Sequence, residues 1–193
     1  QEQCRLTAPG SFLIARNEAS FYEEGLLAVD SSFFRLFSFP LLRGDAGSVL
    51  SRPLSMVISD EMAAKYFGKE DPMGKTLLIN TREAFQVTGV FRKMPENSSI
   101  RADFLIPYDY MKHSQYYSES WSSNSIETYV KLVAGADTAK VNQLLTQVVA
   151  ENNTDNTTRF VVFPLVQQHL YSYFGFGHKP GAILNVWIFS AIA

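Results

Sequence analysis

The tripeptide Gly74-Lys75-Thr76 is the part of this sequence that most resembles a nucleotide-binding motif. A P-loop needs a glycine, four further residues and then Gly-Lys-Ser/Thr, after a strand and before a helix. The first glycine would fall at position 69, which is Lys69, and Gly68 lies one residue too early. The flanking patterns are also reversed, with a predicted helix before and a predicted strand after. We therefore expect no nucleotide site, and interpret Gly74 as the residue that permits a turn before a strand.

Side chains that could act as nucleophiles or metal ligands are scattered along the chain. There is one cysteine, Cys4, and there are three histidines, His113, His169 and His178. A zinc site needs about four clustered ligands, which this spacing does not supply. Cys4 is interpreted as a structural residue; the alternative, lipidation, is disfavoured by the polar residues before it. Neither Gly-x-Ser-x-Gly nor His-Glu-x-x-His occurs.

The acidic residues also form no recognisable catalytic pair. Asp60 and Glu61 fall in the first turn of a predicted helix, where the helix dipole favours negative charge. Asp103 and Asp109 lie in no known catalytic motif, and His169 is interpreted as an ordinary surface or core histidine. The sequence therefore predicts no catalytic, cofactor-binding or metal-binding residues, and no enzyme.

Composition indicates a folded globular chain. Hydrophobic residues make up 46% of the sequence and charged residues 19%, which is ordinary for a folded protein. The length of 193 residues is enough for one domain or two small ones. The net charge is -2, and no block of Lys or Arg is longer than two residues. Nucleic-acid binding needs a dense positive surface, so nucleic acid is excluded as the main partner.

The N-terminal two thirds of the chain read as a strand-rich α+β block. Asp30-Ser31-Ser32 offers a helix N-cap before Phe33, and Ser59 offers another before a helix over 60–67 that Gly68 ends. Strands are predicted over 11–29 with a turn near Asn17-Glu18, and over 56–58 and 103–107. Residues 76–79 and 84–90 are predicted to form a hairpin around Asn80-Thr81-Arg82. This block should have its own hydrophobic core, notably Phe33, Phe34, Phe37, Met62, Phe67 and Val87.

The following part of the chain reads as a β-α-β-like unit. Strands are predicted over 126–133 and 159–166, on either side of a helix over 138–152. Gly135-Ala136-Asp137 is interpreted as the turn and N-cap before this helix. The apolar residues of that helix recur at i, i+3, i+4, i+7 and i+8 from Val141, which is one helical face. A β-α-β connection makes its two strands parallel, so we expect the helix to bury this face against them, with few contacts to the first block.

The two ends of the chain suggest a piece of a longer protein. The sequence starts at Gln1 without Met or an apolar leader, and it closes on an apolar run from Ala182 to Ala193. From Gly181 this run could span about 20 Å as a helix, against about 30 Å of bilayer hydrocarbon. It is either a C-terminal core helix or the first part of a transmembrane helix, and we expect the second.

Several stretches of the sequence follow one another in a recognisable order. The first runs from Val29-Asp30-Ser31-Ser32-Phe33-Phe34 through Arg43-Gly44-Asp45. The others are residues 55–68, 71–77, 87–90, 95–98, 169–172 and 186–193. Taken in this order, they resemble the MacB-like periplasmic core domain of FtsX-type ABC transporter permeases.

This resemblance implies an α+β fold in two parts. A β-α-β porter-like subdomain would comprise residues 1–11 and 125–166, with its N-terminal half truncated. A strand-rich α+β subdomain of the Sabre-like type would be inserted at 12–124. Residues 167–193 would form a stalk and the start of the second transmembrane helix.

The resemblance also implies a function. The chain would be the non-catalytic periplasmic domain of an inner-membrane ABC transporter permease, without cofactors. It would transmit ATP-driven motion and dock partners or cargo for export of peptide, lipid or lipoprotein. Implied partners are a cytoplasmic ABC ATPase, a second permease copy and a periplasmic adaptor. The alternatives are a ligand-binding sensor ectodomain and a soluble hydrolase.

Overall fold

The computed structural model describes residues 2–7, 10–112, 126–152 and 161–168. The chain divides into two compact units, one of Gln1–Ser118 with Ser125–Lys131 and one of Glu119–Asn124 with Leu132–Ala193. Strands and helices are mixed, so the predicted α+β class is confirmed.

The first unit holds all nine strands and three short helices of the described residues. The strands are β1 (Glu2–Thr7), β2 (Gly10–Arg16), β3 (Ala19–Val29), β4 (Leu41–Arg43), β5 (Ser55–Ser59), β6 (Thr76–Ile79), β7 (Glu83–Phe91), β8 (Phe104–Pro107) and β9 (Ile126–Lys131). The helices are α1 (Phe33–Leu36), α2 (Asp60–Phe67) and α3 (Tyr108–Met111). In the second unit, α4 (Thr138–Asn152) is followed by a 3₁₀ helix, Leu165–Gln167.

Six strands of the first unit form a closed ring. The strand order is β2-β6-β7-β5-β8-β3-β1-β9, and β2 pairs with β3 as well as with β6. The path from β2 through β3 therefore returns to its start. β4 is added at β7, while β1 and β9 continue the sheet beyond β3. Because a closed ring leaves no free edge among its own members, its strands are held on both sides.

Successive side chains of the central strands point to opposite faces of the sheet, and each face carries a hydrophobic cluster. Met56 and Ile58 of β5 lie in one cluster, whereas Val57 between them lies in the other. The first cluster includes Tyr66 and Phe67 of α2. The second contains Phe33, Phe91 and Leu105 together with Cys4 and Leu6 of β1. The two cores therefore share their strands.

Local sequence signals predicted several elements correctly. Ser59 caps α2, its Oγ accepting a hydrogen bond from Met62 N at 3.3 Å, and Gly68 ends this helix with φ 60°. The β6–β7 hairpin turns at Asn80 and Thr81, which both have positive φ. α4 has the predicted bounds 138–152, and Asp137 Oδ1 accepts hydrogen bonds from the backbone N of the first turn. The helix after Asp30-Ser31-Ser32 also forms, but no side chain caps it, because the Ser32 hydroxyl donates to Gln3 O instead.

The predicted strand over 159–166 is wrong for the residues that the structure describes. Residues 161–164 have no regular structure, and the 3₁₀ helix begins at Leu165. Pro164 carries no backbone N–H for a sheet ladder, and Val162 N donates to Asn142 Oδ1 at 2.6 Å instead of to a strand. The expected parallel pair is therefore not formed there. β9 pairs with β1, and that pairing is antiparallel.

Two expectations about the cores also need correction. The six apolar residues predicted for one core divide between the two clusters, with Phe33 in one and Phe67 in the other. β1 and β9 belong to the same sheet as the strands of 12–124. The expectation of few contacts between the first block and the strand at 126–131 is therefore wrong. The sequence patterns could not reveal this, because pairing between distant strands leaves no local signal. The subdomain bounds 1–11 with 125–166, 12–124 and 167–193 stay a prediction.

Helix α4 buries only part of its predicted apolar face. Val149 is buried and Leu145 half-buried, whereas Leu144 and Val148 are exposed. None of the helices in the described ranges combines the length and apolar character that crossing a bilayer requires. The apolar run 182–193 lies outside those ranges.

Candidate functional site

The Gly74-Lys75-Thr76 segment forms a tight turn that leads into β6. Gly74 has φ 76°, and its N donates to Val87 O at 2.7 Å. Lys75 N donates to Pro72 O at 3.1 Å, and Lys75 Nζ pairs with the Glu70 carboxylate. The backbone N–H groups that would have to cradle a phosphate are thus used by the turn. The interpretation of Gly74 as a turn residue is confirmed.

Cys4 is a core residue of β1. Its side chain is completely buried in the second cluster. Burial raises the pKa of the thiol to about 11, so it is protonated near neutral pH. A protonated, inaccessible thiol is a poor nucleophile, which supports the structural interpretation of this residue.

The acidic residues singled out in the sequence make structural contacts. Asp60 Oδ1 accepts hydrogen bonds from Glu61 N at 3.1 Å and from Lys93 N at 2.9 Å, and Glu61 pairs with Lys93. Asp103 Oδ1 accepts from Ser59 Oγ at 2.8 Å, which ties β8 to the start of α2.

Asp109 forms an ion pair with Lys112 at 2.7 Å. Within the described residues, no three His, Cys, Asp or Glu side chains are grouped to hold a metal ion. His113, His169 and His178 lie outside the described residues.

The residues that carry the family resemblance stabilise turns between strands. Arg43 Nη1 lies 2.8 Å from Asp71 Oδ1, an ion pair that ties β4 to the turn before β6. The pKa of Asp71 is lowered first by the hydrogen bond from Met73 N and then by Arg43. Gly44 has φ 97°, and a Cβ there would lie 2.7 Å from Thr88 O. Arg43, Gly44 and Asp71 therefore contribute to the structure of these turns.

A buried acidic group that the sequence did not reveal lies beside α2. Glu23 is only 8% exposed; its carboxylate accepts a hydrogen bond from Tyr66 Oη at 2.5 Å and pairs with Lys65 at 2.7 Å. Burial is the main cause that raises the pKa of Tyr66, followed by the hydrogen bond to Glu23. The partners are 43 residues apart, so only the fold brings them together. Together they fasten α2 to the β2–β3 hairpin.

Two open grooves lie on the first unit. One, of about 440 Å³, is lined by both charge signs, including Glu24, Lys93, Arg101 and Asp103. The other, of about 420 Å³, lies beside Phe21, Lys65 and Tyr66. Neither is an enclosed apolar cavity of the kind that typically holds a small ligand.

Solved structures with similar folds are domains of membrane transport proteins. A domain of a protein assigned as a permease from Porphyromonas gingivalis shares 25% identity at a TM-score of 0.67, over 79% of this chain and 65% of that one. The periplasmic region of MacB from Actinobacillus actinomycetemcomitans shares 18% at 0.58, over 78% and 68%. The extracellular domain of the noncanonic ABC-type transporter YknZ from Gram-positive bacteria shares 19% at 0.54, over 82% and 78%.

The sequence itself carries the family signal. No curated protein matches the chain. Residues 6–148 match the family model described as the MacB-like periplasmic core domain, and this range includes the whole closed ring of strands and most of α4. The chain belongs to the MacB-like periplasmic core domain family.

Proposed function

We propose that this chain is the periplasmic domain of an inner-membrane ABC transporter permease, and that it transmits motion and docks partners or cargo. The observation that carries this proposal is the family match over residues 6–148. The similar folds of the MacB and YknZ domains support it.

The architecture of the ring suits a body that is moved as a whole. Its strands are paired on both sides, and the central strands contribute alternate side chains to two cores. A deformation of one core would therefore have to distort the other through the same backbone. Close-packed interiors resist such distortion and transmit displacement.

The domain acts without chemistry of its own. Among the acidic residues considered as catalytic candidates, Glu61 and Asp109 pair with lysine. Asp103 accepts a hydrogen bond from a serine hydroxyl, Asp60 accepts from backbone N–H groups, and the one thiol is buried. ATP would be hydrolysed by a separate cytoplasmic ATPase, and transmembrane helices would carry the motion outward. Two permease copies would work together, a periplasmic adaptor would dock on the domain, and the exported cargo would be a peptide, lipid or lipoprotein.

Distance measurements on the full-length permease would test this function. A nitroxide attached through Lys69→Cys would report on the ring, since Lys69 is exposed and Cys4 is inaccessible to the label. In proteoliposomes with the ATPase, the distance between the labels of two copies should change on trapping with ATP and vanadate. With a hydrolysis-deficient ATPase, this change in the distance between the labels should not occur.

Unchanged distances during active ATP turnover would contradict the proposal. If a small molecule then stabilised the domain against heat, the sensor-ectodomain alternative would take its place, because a ligand that binds the native state raises its stability.

A further inference from the structure

The junction between β1 and β3 departs from a regular antiparallel ladder. The register pairs Leu6 with Val29, and the main-chain bond from Asp30 N to Arg5 O carries this alignment one residue past the end of β3. Beside this main-chain bond, side-chain groups add hydrogen bonds at every second position along this seam. These bonds are Ala28 N to Thr7 Oγ1 at 3.0 Å, Arg5 N to Asp30 Oδ2 at 2.9 Å, and Ser32 Oγ to Gln3 O.

Asp30 is the centre of this seam. Its carboxylate also accepts hydrogen bonds from Arg5 Nε at 2.9 Å and Arg5 Nη2 at 2.7 Å, while its own N donates to Arg5 O at 3.1 Å. The guanidinium lies 4.1 Å from the centre of the Tyr108 ring on α3. The side chain of Asp30 is 18% exposed and that of Arg5 32% exposed. One partly buried carboxylate therefore holds β1 by its backbone and by its side chain.

Strand β9 depends on the same seam. It pairs with β1 in continuous register, from Glu2 opposite Lys131 to Thr7 opposite Ile126. In the described part of the chain, β1 is the strand through which β9 joins the ring. Cys4 and Leu6 add apolar contacts, and the Tyr129 ring meets Phe37 edge-on with centroids 5.2 Å apart. We call β1 and β9 together the ribbon.

We propose that the β1–β3 seam is a clasp, at which the ribbon separates from the ring as one unit while the ring stays folded. Proteins open in cooperative units, and an element held by few main-chain ladder bonds is a natural one. A hydrogen bond made by a side chain breaks when that side chain changes rotamer. A main-chain hydrogen bond within a β-ladder breaks only when the adjacent backbone also moves. Asp30 sets the frequency of opening, because its carboxylate accepts three hydrogen bonds from Arg5, of which the two from the guanidinium form the ion pair.

The clasp itself is independent of transport, but its purpose rests on the proposed function. Opening at this seam would let the ring change its angle to the ribbon during an ATP-driven movement without unfolding.

Hydrogen exchange on the chain tests the clasp directly. Asp30→Ala should accelerate amide exchange in 2–7 and 126–131 by about tenfold or more, the effect expected from losing charged hydrogen bonds. Exchange in 55–59 and 83–91 should change less than about twofold. Asp71→Ala is the matched control, since it removes the carboxylate of another Arg–Asp pair, on the ring itself. It should leave the ribbon unchanged.

Equal acceleration in ribbon and ring, or none in the ribbon, would overturn the proposal. Should Asp30→Ala fail to fold, Asp30→Asn keeps an oxygen for Arg5 N but loses the charge, and it should give a smaller acceleration confined to the ribbon. In the unsubstituted chain, native-state exchange should also give ribbon amides a smaller free energy of opening than those of β5 and β7, within the single global unfolding transition.

The full-length permease separates the two proposals. With the Lys69→Cys label, Asp30→Ala should alter the ATP-driven distance change while ATP hydrolysis continues. If exchange shows the clasp but the distances match those of the unsubstituted permease, the clasp exists without a part in transport. If the distances never respond to ATP in either protein, the proposed function fails and the exchange result still decides the clasp.

Discussion

Phe33 is the side chain through which α1 packs on the sheet, and its replacement by alanine gives a quantitative test of the second core. The side chain is completely buried, and its ring centroid lies 5.2 Å from that of Phe34, 5.1 Å from Phe37 and 5.7 Å from Phe39. Truncating a buried Phe to Ala costs about 3–5 kcal/mol. Each lost aromatic pair adds roughly 0.5–1.5 kcal/mol to simple burial, so we expect the upper end of that range.

Urea unfolding followed by far-UV circular dichroism measures this cost. Phe33→Ala should lower the free energy of unfolding by about 4–5 kcal/mol, and the melting temperature by roughly 8–20 °C for a chain of this size. The m-value should stay unchanged, because both clusters share their strands and should unfold together. Phe21→Ala is the control; Phe21 is 45% exposed and should cost about 1 kcal/mol or less. A loss below about 2 kcal/mol in Phe33→Ala, or two separate transitions, would refute this packing argument.

Three further predictions concern single residues. Because burial raises the pKa of Cys4 from 9.0 to about 11, the folded state keeps this proton longer than the unfolded state does. This contribution to the free energy of unfolding is fully present below about pH 9 and is lost by about pH 11. Between these pH values, the free energy of unfolding measured with urea should fall by roughly 2–3 kcal/mol more in the unsubstituted chain than in Cys4→Ala. Equal losses in the two proteins would contradict this prediction. Gly44→Ala should lower the free energy of unfolding by at least about 2 kcal/mol more than Gly68→Ala does. Both glycines have positive φ, but only a Cβ at Gly44 would meet a backbone atom, at 2.7 Å. Similar losses of stability in the two variants would exclude this clash. Isothermal titration with Mg-ATP should give no binding, because the N–H groups of Gly74 and Lys75 are already bonded; micromolar affinity would disprove this.

Elements whose signals are local could be predicted from the sequence. Ser59 and Gly68 mark the two ends of α2, and Asp137 with the apolar period after it gives the bounds of α4. These signals depend on hydrogen bonds and contacts between residues a few positions apart. The types of those residues are therefore enough to predict them. The same holds for the turn at Asn80 and Thr81.

The closure of the ring had no such signal. It depends on β2 pairing with both β3 and β6, and strand pairs of this kind are chosen by the packing of the whole sheet. The strand pattern over 159–166 failed for a related reason, since period and β-propensity do not show whether a partner strand exists. Pro164 argued against a central strand there.

The site-level contacts were even less visible. Glu23 lies in the region 11–29 predicted as strands, where nothing in the sequence marks it as buried, yet its side chain is buried against Tyr66 and Lys65. Asp30 reads as part of a helix cap, yet its carboxylate bonds Arg5 on another strand. In both cases the sequence gives the residue type, and only the fold gives the partner.

The central claim is that the ring moves as a rigid body during transport, and paired labels within one domain test it most directly. Glu18 and Arg52 are exposed positions of the first unit, one at the β2–β3 turn and one before β5. In full-length permease carrying Glu18→Cys and Arg52→Cys, diluted with unlabelled copies, the distance between the two nitroxides should be the same with and without ATP and vanadate. The distance between copies labelled at Lys69→Cys should change under the same conditions. A changed Glu18–Arg52 distance would contradict the account, because the ring would then deform rather than move as one body.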